Sequence, residues 1–366
     1  MSQDQKTAHI ILEDGTELEG FSFGYDGSIS GEALWYTGTQ DICKTLTDPA
    51  SRGAIIIMAA STLGGKEVPG EAPDEWGLDK NVESAQIQAA GLVVADYSEP
   101  AAENGAVRRT LAKWLKRQQI PALYGIDTRV LIQRLRTRGS QRAKILVSGS
   151  RDISFSSAHL QNRSTAVSTR KPVVYGSGEK RILVIDCGVR NSTLRALLRP
   201  DTRVEKLPLA TDYLKESFDG LVLAGGPGDP GSCEKTIAIL KEALQLNKPV
   251  FTAGQGTVIL ALAAGGASFR MSQGHRGENQ PCIDLETGRC YITAQNHCYG
   301  IRADSLDSSW EVTFLNNNDN SIEGISTRKG LISGVLFQPE GNPGPDDTAF
   351  LYERFLKAVR EGGIPS

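Results

Sequence analysis

A surplus of charge of either sign is missing from this chain. Across 366 residues, 40 Lys and Arg stand against 43 Asp and Glu, a formal net charge of −3. That balance removes the electrostatic case for nucleic acid or an anionic membrane surface as a partner. Long apolar runs are missing too, and none approaches the roughly 20 residues that span a bilayer. The opening Met1-Ser-Gln-Asp-Gln-Lys6 is polar, without the apolar centre of a signal peptide, so a cytoplasmic location is expected. Histidine is scarce. His9, His159, His275 and His297 show no metal-ligand spacing, and neither a metal nor another cofactor is expected. The six cysteines, at 43, 187, 233, 282, 290 and 298, form no CxxC pair. In a chain this long they read as reduced, mostly buried thiols rather than a disulfide framework.

Apolar residues make up 39% of the chain, enough for real cores, and the length suggests two domains. In the first half, Asp14-Gly15 between β-prone runs signals a hairpin. Ala54–Met58 and Gly91–Asp96 read as further strands. Helical spacing follows over Arg108–Gln119, with Leu111, Trp114 and Leu115 on one face. A second helix opens at Asp127, a candidate N-cap, and runs through Val130, Leu131 and Leu135. Lys144–Ser148 closes this half as a strand. The mixture predicts an α+β domain over 1–150. Serines, threonines, charges and Gly176-Ser-Gly178 dominate 151–180, which reads as a linker.

From 181 to 366 short apolar runs alternate with helical segments. Arg181–Asp186, Asp219–Ala224 and the run after Pro249 are the strands, and the pattern predicts an α/β, doubly wound parallel sheet. Ligands of such sheets sit at the carboxyl ends of the strands, where the glycine-rich Gly225–Pro230 falls. The stretch Pro249–Ala263 is the most informative: a buried strand, a sharp turn at Gly254, then an apolar helix. That is the build of a nucleophile elbow, in which a strained turn lifts one side chain above the sheet. Here the tip carries no side chain.

Taken together the motifs resemble the small subunit of glutamine-hydrolysing carbamoyl phosphate synthetase. Leu12-Glu-Asp-Gly-Thr16, Leu46-Thr-Asp-Pro49, Gly125-Ile-Asp-Thr-Arg129, Gly226-Pro-Gly-Asp-Pro230, Ile292-Thr-Ala-Gln-Asn-His297, Pro339-Glu340 and Pro343-Gly-Pro345 fall in that family's order. The resemblance implies an N-terminal domain particular to the small subunit, followed by a class I glutamine amidotransferase domain. It also implies that the partner is a large synthetase subunit, and that a Cys-His-Glu triad releases ammonia from glutamine through a thioester.

At the chemistry the chain departs from that pattern. The family's elbow reads Gly-Ile-Cys-Leu-Gly-His-Gln, whereas this chain reads Thr252-Ala-Gly-Gln-Gly-Thr-Val258, placing Gly254 at the nucleophile. The family's histidine precedes Pro-Glu; here that residue is Gln338, whose carboxamide does not titrate near neutral pH. Glu340, the orienting acid, remains with no histidine to orient, and is expected as a surface or loop carboxylate. The glutamine pocket implied by the resemblance also changes: Ala50 replaces serine, Gln255 leucine, Val258 glutamine and Cys298 glycine, with Tyr299 for phenylalanine beside Asn296. Gly226 and Gly228 persist, and either shape a loop for ligand approach or simply make a turn. Adjacent strand residues point to opposite faces, which disfavours a relocated His297–Cys298 pair. Cys187 reads as a packed thiol, and His275, in Gly274-His-Arg-Gly277, as a structural loop. The leading expectation is a glutaminase-dead structural or regulatory partner of a large subunit. The alternatives are a stand-alone binding module with a remodelled pocket and a divergent enzyme with a relocated nucleophile.

Overall fold

The computed structural model describes residues 6–38, 41–59, 62–65, 67–100, 109–155, 163–328 and 330–363. The chain divides into two compact units: Met1–Ala72 with Asp79–Leu160, and Pro73–Leu78 with Gln161–Ser366.

The first unit is built on a closed barrel. Its strands run in the spatial order Thr7–Leu12, Glu17–Ser22, Ala122–Tyr124, Gly91–Val93, Ala54–Met58, Ile29–Tyr36 and Gln141–Val147, the last returning to the first. The expected hairpin forms between the first two strands, with Ile10 opposite Leu18 and Gly15 at φ +86° in the turn. Asp127 caps helix Thr128–Arg138 by accepting from Arg129 N–H at 3.1 Å, and Leu131 and Leu135 are buried beneath it. Val130 turns away and is 46% exposed, because it lies one position off the apolar stripe. The helix expected over Arg108–Gln119 spans Leu111–Arg117 behind an N-cap at Thr110; Arg108 lies outside the described residues.

In the second unit a ten-stranded sheet carries the architecture. Five strands pair in parallel, in the order Thr202–Pro208, Lys180–Asp186, Gly220–Ala224, Val250–Ala253 and Ile332–Val335. Beyond Ile332–Val335 the sheet turns antiparallel through Ile322–Thr327, Trp310–Asn316 and the long hairpin Ser268–Asp284/Cys290–Ile301. The sheet is therefore mixed rather than parallel throughout. The central strands are apolar on both faces because helices cover both. Leu183, Leu221 and Leu223 join the core containing Leu240, Ile259 and Leu260 of helices Glu234–Ala243 and Gln255–Ala263. The alternate residues Ile182, Val184 and Val222 join Leu194, Leu356 and Val359 of helices Asn191–Leu197 and Phe350–Glu361.

Two segments correct the expectation of a structureless 151–180. Arg163–Val167 is a short helix, and Val173–Tyr175 pairs antiparallel with Thr202–Pro208 as the edge strand of the sheet. A third surprise is Pro73–Leu78, remote in sequence yet part of the second unit. Leu78 is buried in its core, and Asp74 Oδ2 accepts from Arg195 Nε at 2.6 Å.

Helix Gln255–Ala263 lies against its neighbouring strand with no room to spare. A Cβ on Gly256 would fall 2.2 Å from the backbone oxygen of Leu223. Gly256→Ala, which raises helix propensity, is therefore expected to lower unfolding stability by about 2 kcal/mol through overpacking. Urea denaturation of parent and variant checks the sign.

Candidate functional site: a strand-end elbow without its nucleophile

The register of two parallel strands assembles the site. Ala253 pairs with Val335, and Gly254 N–H donates to Val335 O at 2.9 Å. The elbow tip and the chain leading to Gln338 thus leave the same edge of the sheet side by side. Gly254 sits at φ 59°, ψ −132° and hands over directly to helix Gln255–Ala263. Left-handed φ is the region glycine tolerates and other residues enter at a cost. Space is not the obstacle, since a Cβ here would meet its nearest neighbours, Gly225 Cα and N, at 3.7 Å. Behind the turn, Thr257 Oγ1 donates to Val335 O at 2.7 Å and lies 2.9 Å from Thr252 Oγ1, pinning strand, turn and helix together.

Gln255 is buried, only 6% exposed, and its side chain fills the space under the glycine loop. With its nitrogen turned to the loop, the carboxamide donates to Pro227 O at 2.9 Å and Gly226 O at 3.0 Å, while its oxygen faces Ser164 Oγ at 3.2 Å. Ser164, from the short helix Arg163–Val167, also approaches Pro227 O at 2.8 Å. Gly226 is required by this packing: a Cβ there would lie 2.1 Å from the Gln255 carboxamide. A Cβ on Gly228 would lie 3.2 Å from Arg163 Cβ. Sequence reasoning did not find Ser164, because a serine in a serine-rich stretch carries no mark of burial.

Gln338 is half-buried, and its N–H donates to Ala294 O at 2.9 Å in a lone bridge to strand Cys290–Ile301. Two residues on, Glu340 is not the surface carboxylate expected of an acid without its histidine. Its side chain is 8% exposed and pairs with Arg190 Nη2 at 2.7 Å, Arg190 being 3% exposed. Glu340 also accepts from Thr193 Oγ1 at 2.5 Å and from Tyr352 Oη at 2.9 Å. The rest of the Arg190 guanidinium binds the carbonyls of Gly341 and Asn342 at 2.9 and 3.1 Å. Burial pulls the Glu340 pKa upward, but the Arg190 charge and the Thr193 hydroxyl outweigh it, and the carboxyl titrates below the usual range. The carboxylate that would orient a histidine instead anchors helices Asn191–Leu197 and Phe350–Glu361. Arg190, Thr193 and Tyr352 were invisible as partners in the sequence because they come from distant segments.

The remaining pocket candidates come from several elements. Val258 is a core residue, 1% exposed. Asn296, Cys298 and Tyr299 are half-buried on strand Cys290–Ile301, with Asn296 opposite Arg276 and Tyr299 opposite Arg270. Ala50 belongs to the first unit, where its N–H caps onto Asp48 Oδ1 at 2.9 Å. The His297 ring is engaged away from Cys298, with Nδ1 3.1 Å from Tyr299 O and Nε2 3.3 Å from Gln295 Oε1. Cys187 is fully buried, and burial, the neighbouring Cys233 and Asp186 push its thiol well above the ordinary value. Such a thiol is a poor nucleophile.

A doubly wound sheet with a glycine-tipped elbow and a fixed acid behind it has the frame of a class I glutamine amidotransferase. Comparison with known families agrees: the class I glutamine amidotransferase model matches residues 183–358, and the CPSase domain of the carbamoyl-phosphate synthase small chain matches residues 10–145. The arginine-specific small chain of carbamoyl phosphate synthase from Neosartorya fischeri is 36% identical over 98% of this chain and 82% of its own length. The chain belongs to the carbamoyl-phosphate synthase small-chain family. The mouse and human proteins named carbamoyl-phosphate synthase [ammonia], mitochondrial, are each 37% identical over 99% of this chain. This chain spans 24% of their length. Among solved structures, a glutamine amidotransferase from Thermotoga maritima aligns with TM-score 0.37 and 15% identity, over 50% of this chain and 86% of that one. No helix among the described residues is long and apolar enough to cross a membrane.

The buried pair sets a pH dependence. Unfolded glutamate titrates near about 4.3 and Glu340 titrates lower in the fold, so its stabilisation is complete above that value and fades as pH falls through the folded one. Glu340→Gln, which leaves Arg190 buried without its counter-charge, is expected to cost about 3 kcal/mol at pH 7. The gap between parent and variant should narrow as pH drops below about 4. Urea titrations at pH 7, 5 and 3.5 measure it.

Proposed function

We propose that this chain is a small-chain-type subunit that does not hydrolyse glutamine, and that it serves as a structural or regulatory partner of a synthetase large subunit supplied with free ammonia. One observation carries the reading: the elbow tip is Gly254 and the residue ahead of Pro339-Glu340 is Gln338. Thioester chemistry needs a thiolate at the tip and a titratable base within hydrogen-bond reach. A glycine supplies no attacking atom, and a carboxamide cannot take and return a proton at neutral pH. Loss of both removes on the order of 10⁶-fold in rate.

Two further observations favour this over a relocated active site. The buried cysteine Cys187 is held protonated, and the His297 ring faces oxygens rather than Cys298. Glu340 is occupied by Arg190, Thr193 and Tyr352. The mouse and human relatives carry ammonia in their names, which is consistent with a small-chain region whose synthetase takes that nitrogen source.

Ammonia release from glutamine by the purified chain is expected to equal the buffer blank. Mixed at micromolar concentration with a carbamoyl-phosphate synthetase large subunit, the chain is expected to co-elute with it on gel filtration. Glutamine turnover above the blank would overturn the first half of the reading, and separate elution the second. The double variant Gly254→Cys/Gln338→His, for which a Cβ has room at the tip, should gain an alkylatable thiol and measurable ammonia release.

A further inference from the structure

His275 and His297 lie directly opposite one another in the long hairpin, their rings edge to face with centroids 5.0 Å apart. A third element reaches into the pair. Glu323, on strand Ile322–Thr327, is 0% exposed and lies 2.7 Å from His275 Nδ1 and 3.5 Å from His297 Nε2. One atom from each of the three residues converges, all within 4.8 Å of one another. The outer nitrogens are anchored as well: His275 Nε2 lies 3.0 Å from Asp319 Oδ2, and His297 Nδ1 lies 3.1 Å from Tyr299 O.

Counting donors exposes a deficit. All four ring nitrogens face oxygen atoms, since His297 Nε2 meets Gln295 Oε1 at 3.3 Å as well as Glu323, while His275 Nδ1 also has Asn316 Nδ2 at 3.3 Å. A neutral imidazole carries one N–H, so a neutral His275 can accept from Asn316 at Nδ1, but a neutral His297 leaves one nitrogen lone pair pointing at oxygen. Glu323 Oε2 is buried without a hydrogen bond, although Asn316 Nδ2 donates to Oε1 at 3.4 Å. Two positive charges placed between these groups would resolve every one of these contacts and balance Glu323 and Asp319. Either two extra protons or one divalent ion would do so. The anchoring of each outer N–H by a carboxylate or a carbonyl is the arrangement that orients metal-ligating histidines.

We propose that His275 Nδ1, His297 Nε2 and the Glu323 carboxylate bind a divalent transition-metal ion, with zinc the best match to two imidazoles and one carboxylate. Ligand atoms on a tetrahedral zinc at about 2.0 Å stand roughly 3.3 Å apart, so His275 and Glu323 would part by about half an ångström to admit it. The ion would tie the hairpin to strand Ile322–Thr327. None of the three residues belongs to the elbow, so this site stands or falls separately from the loss of glutaminase.

The test uses the full chain, stripped with chelator and gel-filtered, then supplied with zinc or cobalt(II). One equivalent should survive a second gel filtration, and zinc at 100 times its dissociation constant should raise Tm by about 5 °C. Glu323→Gln and His275→Ala, checked for folding by circular dichroism, should lose both effects. The cobalt form of the parent should show tetrahedral d–d bands without thiolate charge transfer, which decides the matter even where a variant fails to fold. No retained ion with no Tm shift, a thiolate band, or undiminished binding by Glu323→Gln would each overturn the proposal.

Discussion

The pairing of Val250–Ala253 with Ile332–Val335 is the constraint on which the site depends. Because these two strands run parallel and in register, the turn at Gly254 and the segment ending in Glu340 emerge next to each other at the carboxyl edge. Parallel strands place like ends together only through crossover connections, and here the chain returns from Ala253 through helix Gln255–Ala263 and the antiparallel strands before Ile332–Val335. The geometry of an acyl-transfer site is thus a property of the sheet. It persists whether or not the side chains at the tip can react.

That separation gives Glu340 a role of its own in the fold. Glu340 is held by an ion pair with Arg190 and by hydroxyls from two helices, all inside the fold. Replacing such a carboxylate strands a buried guanidinium, a cost of several kcal/mol that is independent of chemistry. The elbow tip is under no such obligation, since Gly254 has no side chain for the fold to hold. A residue that is catalytic in one setting and structural in another is retained for whichever role is harder to give up.

The fold was largely legible in the sequence. Continuous apolar runs such as Ile182–Ile185 announced strands buried on both faces, Asp14-Gly15 announced its hairpin, and Asp127 its cap. In the antiparallel extension, Arg289–Gln295 read as strand-rich, but Ser268–Asp284 was not legible, because it is polar, irregular and broken by register shifts. Val173–Tyr175 was hidden by the serine-rich composition around it. At the site, glycine at 254 and glutamine at 338 stand out from motif order alone. What could not be read was anything that depends on segments meeting in space: Arg190 reaching Glu340, Ser164 meeting Gln255, or His275 opposite His297. Sequence separation conceals such pairs, and for His275 and His297 a one-residue slip in register would turn one ring to the other face.

Gly254 holds a left-handed backbone at almost no conformational expense, whereas a cysteine in the same turn would hold it under strain of order 1 kcal/mol or more. Glycine at the tip therefore leaves the elbow relaxed. A thiol placed at the tip would have to be held against that relief, and a base would have to be supplied at position 338 besides. Backbone stability thus favours glycine at this turn whatever the chemistry around it.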